Sequence, residues 1–268
     1  TTEIYTLSLH DALPIYIGSD HIVGGFEYKP NELSRITIEG FYKRYFQYPF
    51  SVADSVALSS KGADFGVFGD EEVTSTGKGR SFGAELLVQH TNFLGFNLLL
   101  AFTLVRSEFD NIRGKLIPTA WDNKQLVSIT ASRKFKNNWD AGFKWRFVGG
   151  APYTPDDLQK SSLKSAWDAR GRTYLDYSRF NTERFGNFHQ LDIRVDKQYY
   201  FKNWSLMLYL DIQNLYNFKA EESDQYTNLD KDGLPVTDPM DPSRYQLRAI
   251  QNDGSGTILP TLGVMLEF

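Results

Sequence analysis

The chain has 268 residues, 41% of them hydrophobic, with a mean hydropathy of −0.40 and a formal net charge of −4. No segment approaches the roughly 18 to 20 consecutive apolar residues of a membrane helix, so a helical membrane protein is excluded; the acidic balance argues against a nucleic-acid binder, which needs a basic face. With no Cys, disulfide frameworks, thiolate metal sites and Cys nucleophiles are excluded too, while 20 Phe and 15 Tyr suit strands and membrane-interface girdles.

In chain order, residues 1–15 (TTEIYTLSLHDALPI) resemble the peptide obtained by translating a sequencing adapter. On that reading they are a non-native segment, and the evolved sequence occupies 16–268. No signal peptide is visible at the start, which for an exported protein implies that its natural N-terminus is missing. Alternating apolar and polar residues then predict strands over about 20–29, 34–47, 78–90, 95–109, 121–135, 139–149, 187–201, 204–217 and 257–268. The connections alternate in length, short at 30–33, 91–94, 136–138 and 202–203, long at 48–77, 110–120, 150–186 and 218–256. Short turns on one rim and long loops on the other form the outer-membrane pattern, with turns periplasmic and loops extracellular.

The hairpin over 189–217 shows what each face wants. Leu191, Ile193, Val195, Tyr199 and Phe201 point one way, and Gln190, Asp192, Arg194, Asp196 and Gln198 the other; the returning strand divides into Trp204, Leu206, Leu208, Leu210 and Ile212 against Ser205, Met207, Tyr209, Asp211 and Gln213. A two-residue turn at Lys202 and Asn203, with Asn accepting a positive φ, sets Phe201 opposite Trp204, Arg194 opposite Asp211 and Asp192 opposite Gln213. Asp192, Arg194, Asp196, Asp211 and Gln213 are therefore read as lumen-facing residues, solvated rather than catalytic. Strands of about 11 to 15 residues exceed the usual 5 or 6 of globular sheets and can cross a bilayer at a tilt. Aromatics flank the short turns (Phe135, Trp139, Tyr199, Tyr200, Phe201, Trp204) and the long loops (Trp121, Trp145, Phe147, Tyr153). The chain closes on LPTLGVMLEF, where Leu262, Val264, Leu266 and Phe268 alternate as an outer-membrane closing strand does.

Candidate chemistry is sparse. His21, His90 and His189 are scattered over separate strands with no HExxH, and no GxSxG or phosphate loop occurs, so no enzyme, cofactor or metal site is predicted. Asn228, Asp230, Asp232 and Gly233 match the opening of a calcium loop, but Pro239 stands where the bidentate Glu should fall, and an Asp-Gly turn is the better reading. The loop over 151–187 carries Tyr153, Trp167, Arg170, Arg172, Tyr174 and Tyr177, residue types suited to ligand capture and equally ordinary on a rim.

Four segments, GRSFGAELLVQH (79–90), WDNKQLVSITASRKFKNNWDAGFKWRFVGGAPYTP (121–155), HQLDIRVDKQYYFKNWSLMLYLDIQNLYN (189–217) and the terminal LPTLGVMLEF, resemble in order and spacing the barrel of TonB-dependent outer-membrane receptors. The resemblance runs from about Tyr16 onward. It implies an all-β, antiparallel transmembrane barrel of about 22 strands, of which this chain holds about the last nine, with a plug domain and TonB box elsewhere. It also implies active uptake of a scarce small extracellular ligand such as a ferric siderophore, cobalamin or a glycan, energised by TonB. Outer-membrane lipid, lipopolysaccharide and the barrel-assembly machinery, to which Phe268 resembles the recognition signal, are the other implied partners. A passive porin-like or adhesion barrel is the alternative. About nine strands cannot close so wide a wall, so an open curved sheet with two exposed edges is expected.

Overall fold

The computed structural model describes residues 16–61, 71–250 and 253–268; the adapter-like segment lies outside them. Among the described residues there are fourteen strands: β1 Gly18–Asn31, β2 Ser34–Ser51, β3 Val73–Phe93, β4 Phe96–Asp110, β5 Leu116–Pro118, β6 Lys124–Phe135, β7 Trp139–Val148, β8 Pro152–Tyr153, β9 Glu183–Arg184, β10 Phe188–Tyr200, β11 Ser205–Gln213, β12 Gln225–Thr227, β13 Arg248–Ile250 and β14 Leu259–Glu267. Two short helices, α1 Leu158–Ser161 and α2 Lys164–Arg170, interrupt the longest loop. Nine strands form one antiparallel meander in the order β1-β2-β3-β4-β6-β7-β10-β11-β14, with β5 pairing back on β4. The sheet does not close; β1 and β14 are its free edges.

Register carries the two faces across the whole sheet. One row runs Tyr28, Ile36, Val88, Leu100, Ile129, Trp145, Leu191, and the next Leu98, Ala131, Phe143, Ile193, Ile212, Pro260. The alternate rows are mostly polar, as in Gln89, Leu99, Thr130, Lys144, Asp192, where Leu99 is the one apolar member. Among the described residues nothing covers the apolar face. Ile22, Phe26, Leu208, Val264 and Leu266 stand exposed, and Leu262 is 81% exposed. At the long-loop rim this face ends in a charged row, Asp20, Arg44, Arg80, Glu108, two cations flanked by two carboxylates, with Arg80 Nε donating to Glu108 Oε2 at 2.9 Å.

Short turns form where the sequence supplies residues tolerant of left-handed φ: Asn92 and Gly95 in one, with Leu94 between them also at positive φ, and Asn137 and Asn138 in another. The turn at 202–203 closes with Phe201 N donating to Trp204 O at 2.9 Å, but neither Lys202 nor Asn203 adopts positive φ, contrary to expectation.

Other boundaries differ as well. Strands β2 and β3 run on to Ser51 and back to Val73, into the span expected to be loop. Bulges at Tyr45/Tyr48 and Tyr48/Phe50, with Gln47 at φ 58°, let pairing resume at Tyr48–Gly77 and, past Pro49, at Phe50–Thr74. The span 110–120 contains β5, and β6 begins at Lys124 rather than at 121. Strand β11 stops at Gln213, because Asn214 and Asn217 turn left-handed. Phe268 lies one residue past β14 and is 93% exposed.

Candidate ligand-binding loops and polar face

The long loops gather into one packed cluster at the rim where β4, β6 and β7 end. Its anchor is Asp122, fully buried just before β6. Asp122 Oδ1 accepts from Arg106 Nε at 3.0 Å and from Ser107 N at 2.8 Å, and Oδ2 accepts from Arg184 Nη2. The Arg184 Nη1 donates to the backbone carbonyls of Asp122 at 2.6 Å and Gly150 at 2.8 Å. Arg184 belongs to β9, so one guanidinium fastens the far end of the 150–187 loop to the wall. Beside it the buried Asn181 donates Nδ2 to Pro118 O at 2.8 Å and Ser60 O at 3.3 Å, tying three loops together.

A second clamp centres on Lys61. Its buried ammonium donates to Asp54 Oδ2 and Glu71 Oε1, each at 2.6 Å, and lies 5.6 Å from the Tyr177 ring centre. Burial pulls the Lys61 ammonium down, but the hydrogen bonds to Asp54 and Glu71 outweigh it and hold it above the usual lysine value. Burial, then the Asp54 charge, pushes the Tyr177 phenol up. Tyr153 stacks on Phe185 at 4.3 Å, and burial followed by the Glu183 charge raises its phenol too. Both phenols therefore remain neutral donors at physiological pH. Lys61, Tyr153, Thr154, Tyr177, Asn181 and Phe185 line an open cavity of about 240 Å³.

The remaining loop candidates fall on α1 and α2. Asp157 caps α1, accepting from Lys160 N at 2.8 Å, and Gly171 ends α2 in left-handed conformation at φ 67°. Tyr174 is held between Lys160 Nζ at 4.4 Å and Arg170 Cζ at 4.7 Å. Arg170 and Arg172 are exposed, whereas Trp167 is buried in the helix pair. The 218–256 loop docks on these helices through Arg244 Nη1 to Ser162 Oγ at 2.6 Å and Tyr245 Oη to Asp168 Oδ1 at 3.0 Å. Thus Tyr153 and Tyr177 share the cavity, while Arg170, Arg172 and Tyr174 form a separate basic-aromatic surface.

On the polar face Asp192, Arg194 and Asp211 come together around a groove of about 270 Å³, with Gln213, Lys144 and Thr130 also lining it. Arg194 stands opposite Asp211 in register as expected. Its ion pair, however, is with Asp196 on its own strand, Nη2 to Oδ1 at 2.9 Å, and its guanidinium lies over Tyr209 at 4.3 Å. The β10–β11 ladder ends at Ile193–Ile212; Asp192 instead accepts from Asn214 N at 3.0 Å and Arg146 Nη2 at 3.2 Å. In the calcium-like loop, Asp230 Oδ1 accepts from Asp232 N and Leu234 N, each at 2.9 Å, and Gly233 takes φ 79°, which is the geometry of an Asp-Gly turn.

The sequence did not single out Asp122, Lys61 or Asn181. Asp122 and Asn181 reach partners as far as 62 and 121 residues away, Lys61 is clamped within its own loop, and only a charged or amide residue beside a strand end hints at such a role.

Comparison with curated proteins found no match. Among solved structures, the ferric citrate transporter FecA in its unliganded form aligns at a TM-score of 0.55 and 14% identity, over 92% of this chain and 31% of that one. The ferric-catecholate import receptor Fiu of E. coli K12 aligns at 0.53 and 12%, over 93% and 28%. The ferric yersiniabactin uptake receptor FyuA of Yersinia pestis aligns at 0.51 and 12%, over 93% and 29%. The chain thus spans less than a third of each of these proteins. The family described as TonB dependent receptor-like, beta-barrel matches residues 19–215. With its nine-strand meander, uncovered apolar face and loop cluster on a single rim, the chain belongs to the TonB-dependent receptor family and is part of such a receptor's β-barrel.

Proposed function

We propose that this chain supplies wall and extracellular loops to an outer-membrane receptor that imports a scarce small ligand when TonB, energised from the inner membrane, acts on a plug domain. The observation that carries the reading is the apolar band and its limits. On β4 the band runs from Phe96 to Leu104 and gives way to Arg106. Eight steps of about 3.4 Å make roughly 27 Å along the strand, or about 20 Å along the membrane normal at a tilt of about 40°. That is close to the apolar band of outer-membrane barrels, about 25 Å tall.

In this reading Asp192, Arg194, Asp196, Asp211 and Gln213 face the lumen, and the long loops face outside the cell. Tyr153 and Tyr177 contact ligand from the cavity, Arg170, Arg172 and Tyr174 from the helical surface, and the buried Trp167 holds that surface in shape. The solved neighbours are named for ferric citrate, ferric-catecholate and ferric yersiniabactin transport, which favours a ferric siderophore over cobalamin or a glycan. Phe268 and β14 serve recognition by the barrel-assembly machinery. The reading is tested by uptake of labelled ferric siderophores in cells carrying the complete receptor, with and without TonB. Accumulation that needs both receptor and TonB supports it; equal accumulation without TonB points to a passive pore and overturns it.

A further inference from the structure

At the short-turn rim the apolar face carries two cations, Arg133 on β6 and Lys197 on β10, and both are seated in aromatic rings. The Arg133 guanidinium lies 5.2 Å from the Phe96 ring centre and 5.3 Å from that of Phe135. Gly95, at φ +88°, makes room for it: a Cβ there would stand 3.1 Å from Arg133 Nε and Cζ. The Lys197 ammonium lies 5.1 Å from each of the Trp139 and Tyr199 ring centres and donates to Asn137 O. Register places the two residues either side of β7, Arg133 opposite Ala141 and Lys197 opposite Trp139. Two strand spacings and one two-residue step put their Cα atoms about 12 Å apart, a span that two long side chains can close around one anion.

The charge balance here differs from that of the polar face. There Arg194 pairs with Asp196 and Arg146 with Asp192, while Lys134 stands opposite Asp140. Among the described residues, neither Arg133 nor Lys197 has a carboxylate partner. The neighbouring rim positions on their face are Phe96, Phe135, Trp139, Tyr199 and Phe201, all aromatic. Deeper on the same face comes the row Leu98, Ala131, Phe143, Ile193, wholly apolar. A cationic pair in an aromatic belt, with hydrocarbon-compatible surface directly beyond it, matches an amphiphile with an anionic head.

We propose that Arg133 and Lys197 form a binding site for the phosphodiester of an anionic glycerophospholipid in the periplasmic leaflet, its acyl chains lying along the Leu98–Ile193 row. The site rests on the membrane reading given above, and on the assignment of short turns to the periplasmic rim. That assignment selects phospholipid over lipopolysaccharide, whose phosphates lie at the opposite rim. The aromatic seats hold the two cations in place when no lipid is bound, which lowers the entropy lost on capture.

Native mass spectrometry of the complete receptor, extracted from vesicles of phosphatidylethanolamine and phosphatidylglycerol in equal amounts, tests this. The wild type should retain phosphatidylglycerol in preference to phosphatidylethanolamine. Arg133→Gln and Lys197→Gln should each reduce that retention about fivefold and the double variant roughly 25-fold, while Lys134→Gln on the polar face leaves it unchanged. Folding of each variant is checked by heat-modifiable gel migration, and if the double variant fails to fold the two single variants decide. Equal retention of both lipids by the wild type, undiminished retention by the folded variants, or an equal loss in Lys134→Gln overturns the site while leaving the membrane reading intact. A receptor that does not enter vesicles at all overturns the membrane reading, and the lipid site with it.

Discussion

The sharpest consequence of the loop architecture concerns Asp122→Ala. The carboxylate is fully buried and accepts from Arg106, Arg184 and the Ser107 amide. Its loss leaves two guanidinium groups and a backbone N–H without their acceptor. Removing one member of a buried ion network costs about 3 to 5 kcal/mol. Arg106 and Arg184 retain 39% and 26% of their side-chain exposure, so water recovers part of their solvation and about 2 kcal/mol is the appropriate figure. Because the strands are held by their own ladders, that loss falls on loop docking and not on the wall. Two kcal/mol corresponds to about a 30-fold rise in the opening equilibrium of the 150–187 loop. Hydrogen exchange on the complete receptor in detergent should show amides of β9 and the Asn181 turn exchanging about 30-fold faster, with amides of β6 and β10 unchanged. Asp122→Asn keeps acceptor oxygen for Ser107 N but loses the charge, and should fall between. A change below about threefold in the loop, or equal acceleration in wall and loop, would refute the idea that Asp122 is the loop's anchor.

Four further outcomes follow. Leu208→Arg on the apolar face should cost about 2 to 4 kcal/mol in refolding titrations into vesicles, whereas Met207→Arg on the polar face should be tolerated; similar costs for both would invalidate the face assignment. Gly83→Val would place a Cβ 2.1 Å from Leu104 O on the neighbouring strand, and denaturant midpoints should report a loss of about 1 to 3 kcal/mol. Burial, reinforced by Asp224 and opposed by a hydrogen bond from Thr173, raises the Asp156 carboxyl above its ordinary value. The docked loop therefore binds the proton more tightly than the open loop does, so this contribution to docking is complete below the ordinary carboxylate range and is lost as pH rises through the raised value. Protease sensitivity of the 150–187 loop should increase over that window and lose the dependence in Asp156→Asn; an unchanged profile would exclude Asp156 as its source. Expressed alone in water without detergent, this chain should aggregate through its uncovered apolar face and the free edges β1 and β14, and a monodisperse soluble species by size exclusion would contradict the membrane reading.

The parts of this architecture legible in the sequence are those fixed by period-two alternation and local turn chemistry. Arg194 opposite Asp211 could be placed because the alternation on both strands is unbroken and the turn between them has only two residues, leaving one register that keeps Leu206 and Leu208 on the apolar side. The same reasoning stopped short at β2 and β3. There Pro49 reads as a terminator, yet bulges at Tyr45/Tyr48 and Tyr48/Phe50 let the ladder resume beyond it, and nothing in a local pattern announces a bulge that keeps pairing alive. Ion pairing is illegible for a related reason: register fixes which Cα atoms face each other, but a long guanidinium on the polar face can turn along its own strand, as Arg194 does to reach Asp196. The loop cluster was legible only as a collection of suitable residue types. Its geometry depends on Asp122 meeting Arg184 and on Asn181 meeting Ser60, contacts 62 and 121 residues apart, where periodicity carries no information. The seats of Arg133 and Lys197 lie between these limits. Alternation alone assigns both to the apolar face and turn position puts both at the same rim, so the anomaly of two cations among aromatics could have been found from the sequence; what required the structure was the absence, among the described residues, of a carboxylate within reach.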